Sequence, residues 1–303
     1  MLAIEKTNNT QWLGRLVWVA VLCVVITGCT AVSSKKPAHS SPRSSSDSPA
    51  WGSQSTLFPS WYRIGRAASK AVRDPQTWAP AVGAILFSAT GWDKGVSDWA
   101  QRTTPVFGSQ KAALRASDDF RDGAKYGAVV TALLTPNGRG GMTAANGKVK
   151  GMGLQLGAYF AVESTTTLFK RGVARRRPNA VNNHSFPSGH TSSAFAAGTL
   201  ARRNISASGY PPIMTHVLDA GFISFGAGTS WARVEAGMHY PSDVLAGAAL
   251  GHFIAAVVND AFLGERPVGK DSTNKHSVVK GLPSISIKTS RKLLKISFLY
   301  PLY

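Results

Sequence analysis

Negative charge is what this chain lacks. Its 15 Asp and Glu stand against 34 Lys and Arg in 303 residues, a formal net charge of +19 at neutral pH. That balance favours anionic partners: lipid headgroups, nucleic acid or phosphate-bearing substrates. Cysteine is nearly absent, with only Cys23 and Cys29, which excludes a disulfide framework and a thiolate metal site. Long apolar runs are missing as well. Beyond Ile26 none reaches the ~20 uninterrupted residues a membrane span needs, because Glu163 breaks the run from Gly151 to Lys170 and His252 the run from Asp243 to Asp260. A water-soluble bundle is favoured over a transmembrane one. With 44% hydrophobic residues the chain can bury one substantial core, so one catalytic domain is expected.

The N-terminus has the order of an export signal: Lys6 and Arg15, then an uncharged apolar run from Leu16 to Ile26. An ordinary secretory signal or a short membrane anchor would begin similarly. The run ends in Ile26-Thr27-Gly28-Cys29, which resembles the lipobox of bacterial lipoproteins. That resemblance implies cleavage before Cys29, a lipid on its thiol, and a lipid-anchored protein of a bacterial cell envelope facing the periplasm at the outer membrane. Residues 1–28 are then the signal peptide, and Cys23 leaves with it. The mature domain carries no free thiol, as suits an oxidising compartment. Residues 29–56 are rich in Ser and Pro and poor in apolar side chains, and read as a lipidated cysteine followed by a disordered tether. A helical domain is expected over 57–265 and a basic tail over 266–303.

Between Trp78 and Gly264 the apolar segments are rich in Ala and Gly and lack β-alternation, which predicts an all-α helical bundle packed through small residues. Helices are expected at 78–90, 120–134, 151–170, 191–202, 213–228 and 241–263. Gly247 and Gly251 in the last permit close helix approach. The stretch 135–151 carries Pro136, Asn137, Gly138 and further glycines and reads as a loop. In the tail, Ile285, Ile287, Ile296, Phe298 and Tyr300 alternate, which suggests a short hairpin or a membrane-facing strand.

Three blocks carry the chemistry. In Lys170-Arg171-Gly172-Val173-Ala174-Arg175-Arg176-Arg177-Pro178, Lys170 and Arg177 are two turns apart if helical, so both could reach one anion. The Arg177 fork matches phosphate oxygens and Lys170 adds a point charge. By itself such a run is more often a solvated or nucleic-acid-binding patch. In Ser185-Phe186-Pro187-Ser188-Gly189-His190-Thr191, Ser188 suits a helix N-cap. Gly189 leaves backbone N–H groups open to an anion, and His190 stands in the first turn. In Arg233-Val234-Glu235-Ala236-Gly237-Met238-His239-Tyr240-Pro241-Ser242-Asp243, Pro241 suits a first helical position. Asp243 can then turn back to the His239 imidazole, fix its tautomer and leave the other nitrogen free to attack. Arg233 adds a third cation.

Together and in this order, the blocks resemble the type-2 phosphatidic acid phosphatase superfamily, which includes lipid phosphatases, bacterial class A acid phosphatases and vanadium haloperoxidases. The resemblance covers about 57–264. It implies an all-helical fold and a metal-independent, two-step hydrolysis of a phosphate ester or pyrophosphate through a phosphohistidine. His239 matches the nucleophile, Asp243 its orienting carboxylate, and His190 the general acid. Lys170, Arg177, Ser188, Gly189 and Arg233 match the phosphate cradle. No cofactor is implied. The expected partners are a phosphorylated substrate, with a lipid phosphate preferred, and a membrane reached through the anchor; nucleic acid is not expected. One departure stands out: the family has serine immediately before the third-block arginine, and here the residue is Ala232, with Ser230 two residues earlier. A vanadate-dependent haloperoxidase shares the same cradle. A noncatalytic lipoprotein that binds anionic envelope polymers would share the charge. Glu163, seven residues before Lys170, reads as a structural ion-pair partner as readily as a catalytic residue, His184 reads as a loop residue, and Glu235, Tyr240 and His252 receive packing or solvent explanations.

Overall fold

The computed structural model describes residues 51–137, 141–264, 284–290 and 293–299. Cys29, the signal peptide and most of the tether assigned from sequence lie outside them. Eight α-helices follow one another in the first part: α1 Trp61–Arg73, α2 Pro75–Thr90, α3 Trp92–Thr103, α4 Gln110–Leu134, α5 Met142–Val173, α6 Gly189–Ser208, α7 Pro212–Glu235 and α8 Pro241–Val258, the last running into a π-helical turn at Asn259–Leu263. The all-α expectation holds for this unit. Residues 284–299 belong to a second unit, an antiparallel pair of β1 Ser284–Ser290 and β2 Leu293–Leu299, with Ile285 opposite Phe298 and Ile287 opposite Ile296. Of the two expectations for the tail, a hairpin or a membrane-facing strand, this antiparallel pairing matches the first.

Local sequence sets the helix starts. Ser60, Asp74, Ser109 and Ser188 each accept a bond from a backbone N–H of the following turn, which satisfies donors that a helix start leaves open. Two helices, α1 and α3, escaped the sequence reading because their charged composition hides a seam of small buried residues: Ala67 and Ala71 on α1, Ser97 and Ala100 on α3. The loop expected over 135–151 is corrected from Met142 onward, where α5 already runs. Two of its glycines, Gly147 and Gly151, serve packing. A Cβ on Gly147 would stand 3.1 Å from the Trp51 carbonyl, and one on Gly151 would meet the Trp51 ring. Trp51 itself is buried with Ala132, Ala207 and Leu263, so the folded unit takes in a residue that composition assigned to the tether.

The core centres on α6, which packs against α4, α7 and α8, while α2 covers the outside of α8. Gly247 and Gly251 let α8 lie against the start of α6: a Cβ on Gly247 would fall 2.6 Å from the Ser188 carbonyl oxygen. One stretch, Pro241–Leu263, is long and apolar enough to cross a membrane by length and composition, and over half of its apolar window is buried in the bundle.

Candidate active site

Four chain segments meet at one end of the bundle: the end of α5 with the loop after it, the start of α6, the end of α7 and the start of α8. Lys170 and Arg177 do not share a helix face as the spacing suggested. Helix α5 stops at Val173, and Ala174 turns into the left-handed region at φ 47°. Arg177 therefore lies in the loop beyond. The two cations still converge, since both donate to the His184 carbonyl, Lys170 at 2.9 Å and Arg177 at 3.5 Å. Lys170 also borders Gly189, where a Cβ would touch its Cε at 3.5 Å.

The turn from α7 to α8 delivers His239. Gly237 adopts φ 68°, a left-handed conformation that favours glycine, and a Cβ there would crowd the Gln101 side chain. His239 is 1% exposed, and its Nδ1 lies 2.6 Å from the Ser185 carbonyl oxygen. A carbonyl can only accept, so Nδ1 carries the proton and Nε2 keeps its lone pair. This corrects the direct bond expected from Asp243, which stands 3.9 Å from Nδ1, beyond hydrogen-bond range but close enough to act by charge. Asp243 is instead clamped: Arg175 donates to it at 2.6 Å, the Tyr240 N–H at 2.9 Å, and the Ser185 hydroxyl closes a further short bond. One short loop thus holds both members of the pair, through the Ser185 carbonyl and its hydroxyl. The Asp243 carbonyl oxygen also accepts from Ser188 N–H at 3.0 Å, tying α8 to the second block.

Arg175 and Asp93 were missed. Arg175 bridges Asp243 to Asp93 at 2.8 Å and stacks over the Tyr240 ring at 4.2 Å. Buried Asp93, at the start of α3, also accepts from the Ser242 N–H at 2.8 Å. Arg175 sat unremarked within a basic run, and Asp93 in a stretch without a motif. Their signal lay in scarcity, since each acid in so basic a chain merits a search for its partner.

The ion pairs around the site go to Arg175, Arg121, His190 and His239; none among the described residues reaches Lys170, Arg177 or Arg233. Arg233 is 5% exposed, and the one hydrogen bond of its side chain among the described residues goes to Ser117 Oγ at 3.5 Å. The Nε donors of Arg177 and Arg233 are buried without a partner, an unfavourable state that an anion would relieve. Burial, with Arg177 and Arg233 nearby, lowers Lys170 to about 8, and burial followed by Arg177 lowers Arg233 to about 10. Burial chiefly lowers His239 to about 3, so the imidazole is neutral at neutral pH. His190 is lowered to about 4, first by burial and then by Arg233 and Arg121. Its Nε2 meets Asp118 and Arg121 on α4, a helix that carried no block.

All eight block residues therefore gather around one region, with Ser188 capping α6 and Gly189 opening it. Ala232 is fully buried, and Ser230 is spent on the Gly226 carbonyl at 2.8 Å, 3.4 Å from Thr191 Oγ1. Glu235 and His252 have the packing roles expected: Glu235 accepts from the Val106 and Phe107 N–H groups, and His252 contacts Thr199 and Asp74. Glu163 accepts a short bond from Ser193, and Tyr240 lies under Arg175.

Part of the chain is similar in sequence to known proteins. Residues 152–265 match the sequence model of the PAP2 superfamily. Among its relatives is the decaprenylphosphoryl-5-phosphoribose phosphatase of Mycobacterium tuberculosis, in strains CDC 1551 and H37Rv, 34% identical over 120 residues that cover 37% of this chain and 61% of theirs. The chain thus spans about three-fifths of the length of these relatives. A transmembrane PAP2-type phosphatidylglycerolphosphate phosphatase from Bacillus subtilis superposes with a TM-score of 0.43 at 15% identity, over 65% of this chain and 94% of that one; so loose a likeness carries no weight here.

Proposed function

We propose that the protein is a phosphatase that works without a metal through a phosphohistidine at His239, on phosphate monoesters or pyrophosphates carried by lipids. The observation that carries this reading is the cluster of Lys170, Arg177 and Arg233, part-buried and without a carboxylate, beside a histidine whose tautomer leaves Nε2 free. Buried cations without counter-ions are costly. A phosphate oxygen array would satisfy them and the N–H groups at the start of α6. In the first step Nε2 of His239 attacks phosphorus, the bond to the leaving oxygen breaks, and His190 supplies that oxygen with a proton. In the second, water attacks the phosphohistidine, His190 takes its proton, and the P–N bond breaks to release inorganic phosphate. Asp243, by charge across 3.9 Å, steadies the positive ring that forms in between.

Three features support a lipid substrate. The Mycobacterium relatives carry a decaprenylphosphoryl sugar phosphate in their name. Helix α1 has Arg63, Arg66, Lys70 and Arg73 and no acid, while Phe58 and Trp61 at its start are 92% and 87% exposed, a pairing that suits an anionic membrane surface. Cys29 would hold the domain at the envelope, on the periplasmic side and at the outer membrane. Loss of fatty-acid labelling on Cys29→Ser is the expected result; labelling that survives the substitution would sink the anchor. For the activity, purified protein is assayed for phosphate release from a chromogenic ester and from phosphatidic and isoprenyl phosphates, with chelator present. Turnover is expected to survive chelation and to fall at least about 10³-fold in His239→Ala. Retained turnover in that variant, or loss to the chelator, would refute the reading.

A further inference from the structure

His190 is held by two side chains that none of the three blocks contains. Its Nε2 lies 2.9 Å from Asp118 Oδ1 and 2.6 Å from an Arg121 guanidinium nitrogen, and these two partners pair with each other at 3.2 Å. Both belong to α4, one and four residues after Ser117, the partner of Arg233. Nε2 cannot satisfy both at once. It accepts from Arg121 only when it is unprotonated, and donates to Asp118 only when it is protonated. The imidazole is 28% exposed, and every hydrogen bond it makes to the described residues is through Nε2, so Nδ1 is the nitrogen open to the site.

We propose that Asp118 is the positioning residue of the general acid: it holds Nε2–H of His190 so that Nδ1 handles the reacting proton, while Arg121 occupies Nε2 in the empty site. This rests on the phosphatase reading above. The proton count closes. Imidazolium, with Nε2–H on Asp118, gives its Nδ1 proton to the leaving oxygen as the P–O bond breaks and the His239 Nε2–P bond forms. The neutral ring left behind keeps Nε2–H on Asp118. Nδ1 then takes a proton from the attacking water as the P–N bond breaks, which restores the imidazolium. The Nε2 proton itself is taken from solvent as Asp118 replaces Arg121 at that nitrogen on substrate binding, and is returned to solvent when the site empties.

The electrostatics agree with the geometry. Arg233 from α7 and Arg121 from α4 push the ring toward neutrality, as burial does most strongly, and Asp118 is the group in contact that favours the charged, acid form. His239 follows the same rule with another partner: one ring nitrogen is fixed by an acceptor, there the Ser185 carbonyl, and the second is left for chemistry.

Leaving-group dependence provides the test. A nitrophenolate departs without a proton, whereas an alkoxide does not, so a defect in general acid catalysis appears with alkyl esters and is masked with aryl ones. The comparison uses kcat/KM, which ends at P–O cleavage and omits the water step. For the full chain, Asp118→Asn and Asp118→Ala are expected to lower kcat/KM for octyl phosphate by about 10²-fold and for p-nitrophenyl phosphate by less than about threefold. Asp118→Glu should recover most of the loss. In the asparagine variant the alkaline limb of the octyl phosphate profile should move to lower pH; in Arg121→Gln it should move higher. The Asp118 side chain is half exposed, so the variants should fold, and circular dichroism checks this. Equal losses on both esters, or none on either, would overturn the role of Asp118. A wild-type chain that turns over neither ester would remove the phosphatase reading, and this role with it.

Discussion

Arg203 and Arg233 are both arginines near the C-terminal ends of core helices, yet their surroundings differ. Arg203, fourteen residues along α6 from Gly189 and hence about 20 Å from the site end, grips Asp260 through two bonds of 2.9 Å. Beside it Gln155, Asn204 and Asn259 close a buried amide network. Arg233 has one long bond to a hydroxyl and a buried Nε with no partner. Polar groups in a stable interior are paired. Arg203 and its amide neighbours obey this rule and serve architecture, whereas Arg233 breaks it and is poised for a ligand. Arg175 shows that position alone does not decide: it lies inside the site region, yet Asp93 and Asp243 pair it fully and hold its charge more firmly than usual.

The contrast can be broken with two substitutions. Asp260→Ala removes both bonds from the part-exposed Arg203 and should cost about 1–3 kcal/mol in urea unfolding, with activity per folded molecule unchanged. Arg233→Met removes a charge that no ion pair among the described residues balances; stability should stay level or rise, while kcat/KM falls by about 10²–10³-fold. Equal destabilisation by both would mean that the two ends do not differ.

A smaller effect comes from pH. His239 and His190 have folded values of about 3 and about 4 against an ordinary 6.5. The unfolded chain therefore binds these protons first, and stability present above about 6.5 is lost as pH falls toward 4. Inorganic phosphate should counter that loss. Occupancy at 100 times Kd adds about 2.7 kcal/mol, read as a higher Tm at pH 5, and the gain should vanish in Arg233→Met while surviving Asp260→Ala. A phosphate-independent Tm in the wild type would show that the cradle does not bind the anion.

Much of the site was legible because the blocks are local. Ser188 caps its own helix, Gly189 opens it, and Pro241 starts α8, all within a few residues. The partners were not legible, because they come from far along the chain. Asp93 is 82 positions from Arg175, and Asp118 is 72 from His190. The spacing of Lys170 and Arg177 misled for a related reason: it assumes a helix that ends at Val173, and the loop beyond reaches the same anion site by another route.

The scarcity of acids noted first proves informative in three dimensions. The sequence by itself determined the helical class, the basic character, the caps, and which residues could meet a phosphate, since periodicity and side-chain chemistry are local properties. Tertiary structure decided which cations keep their charge unanswered. It gave Asp93 and Asp243 to Arg175, Asp260 to Arg203 and none to Arg233, because pairing depends on distances that only the packing of α3, α6, α7 and α8 fixes.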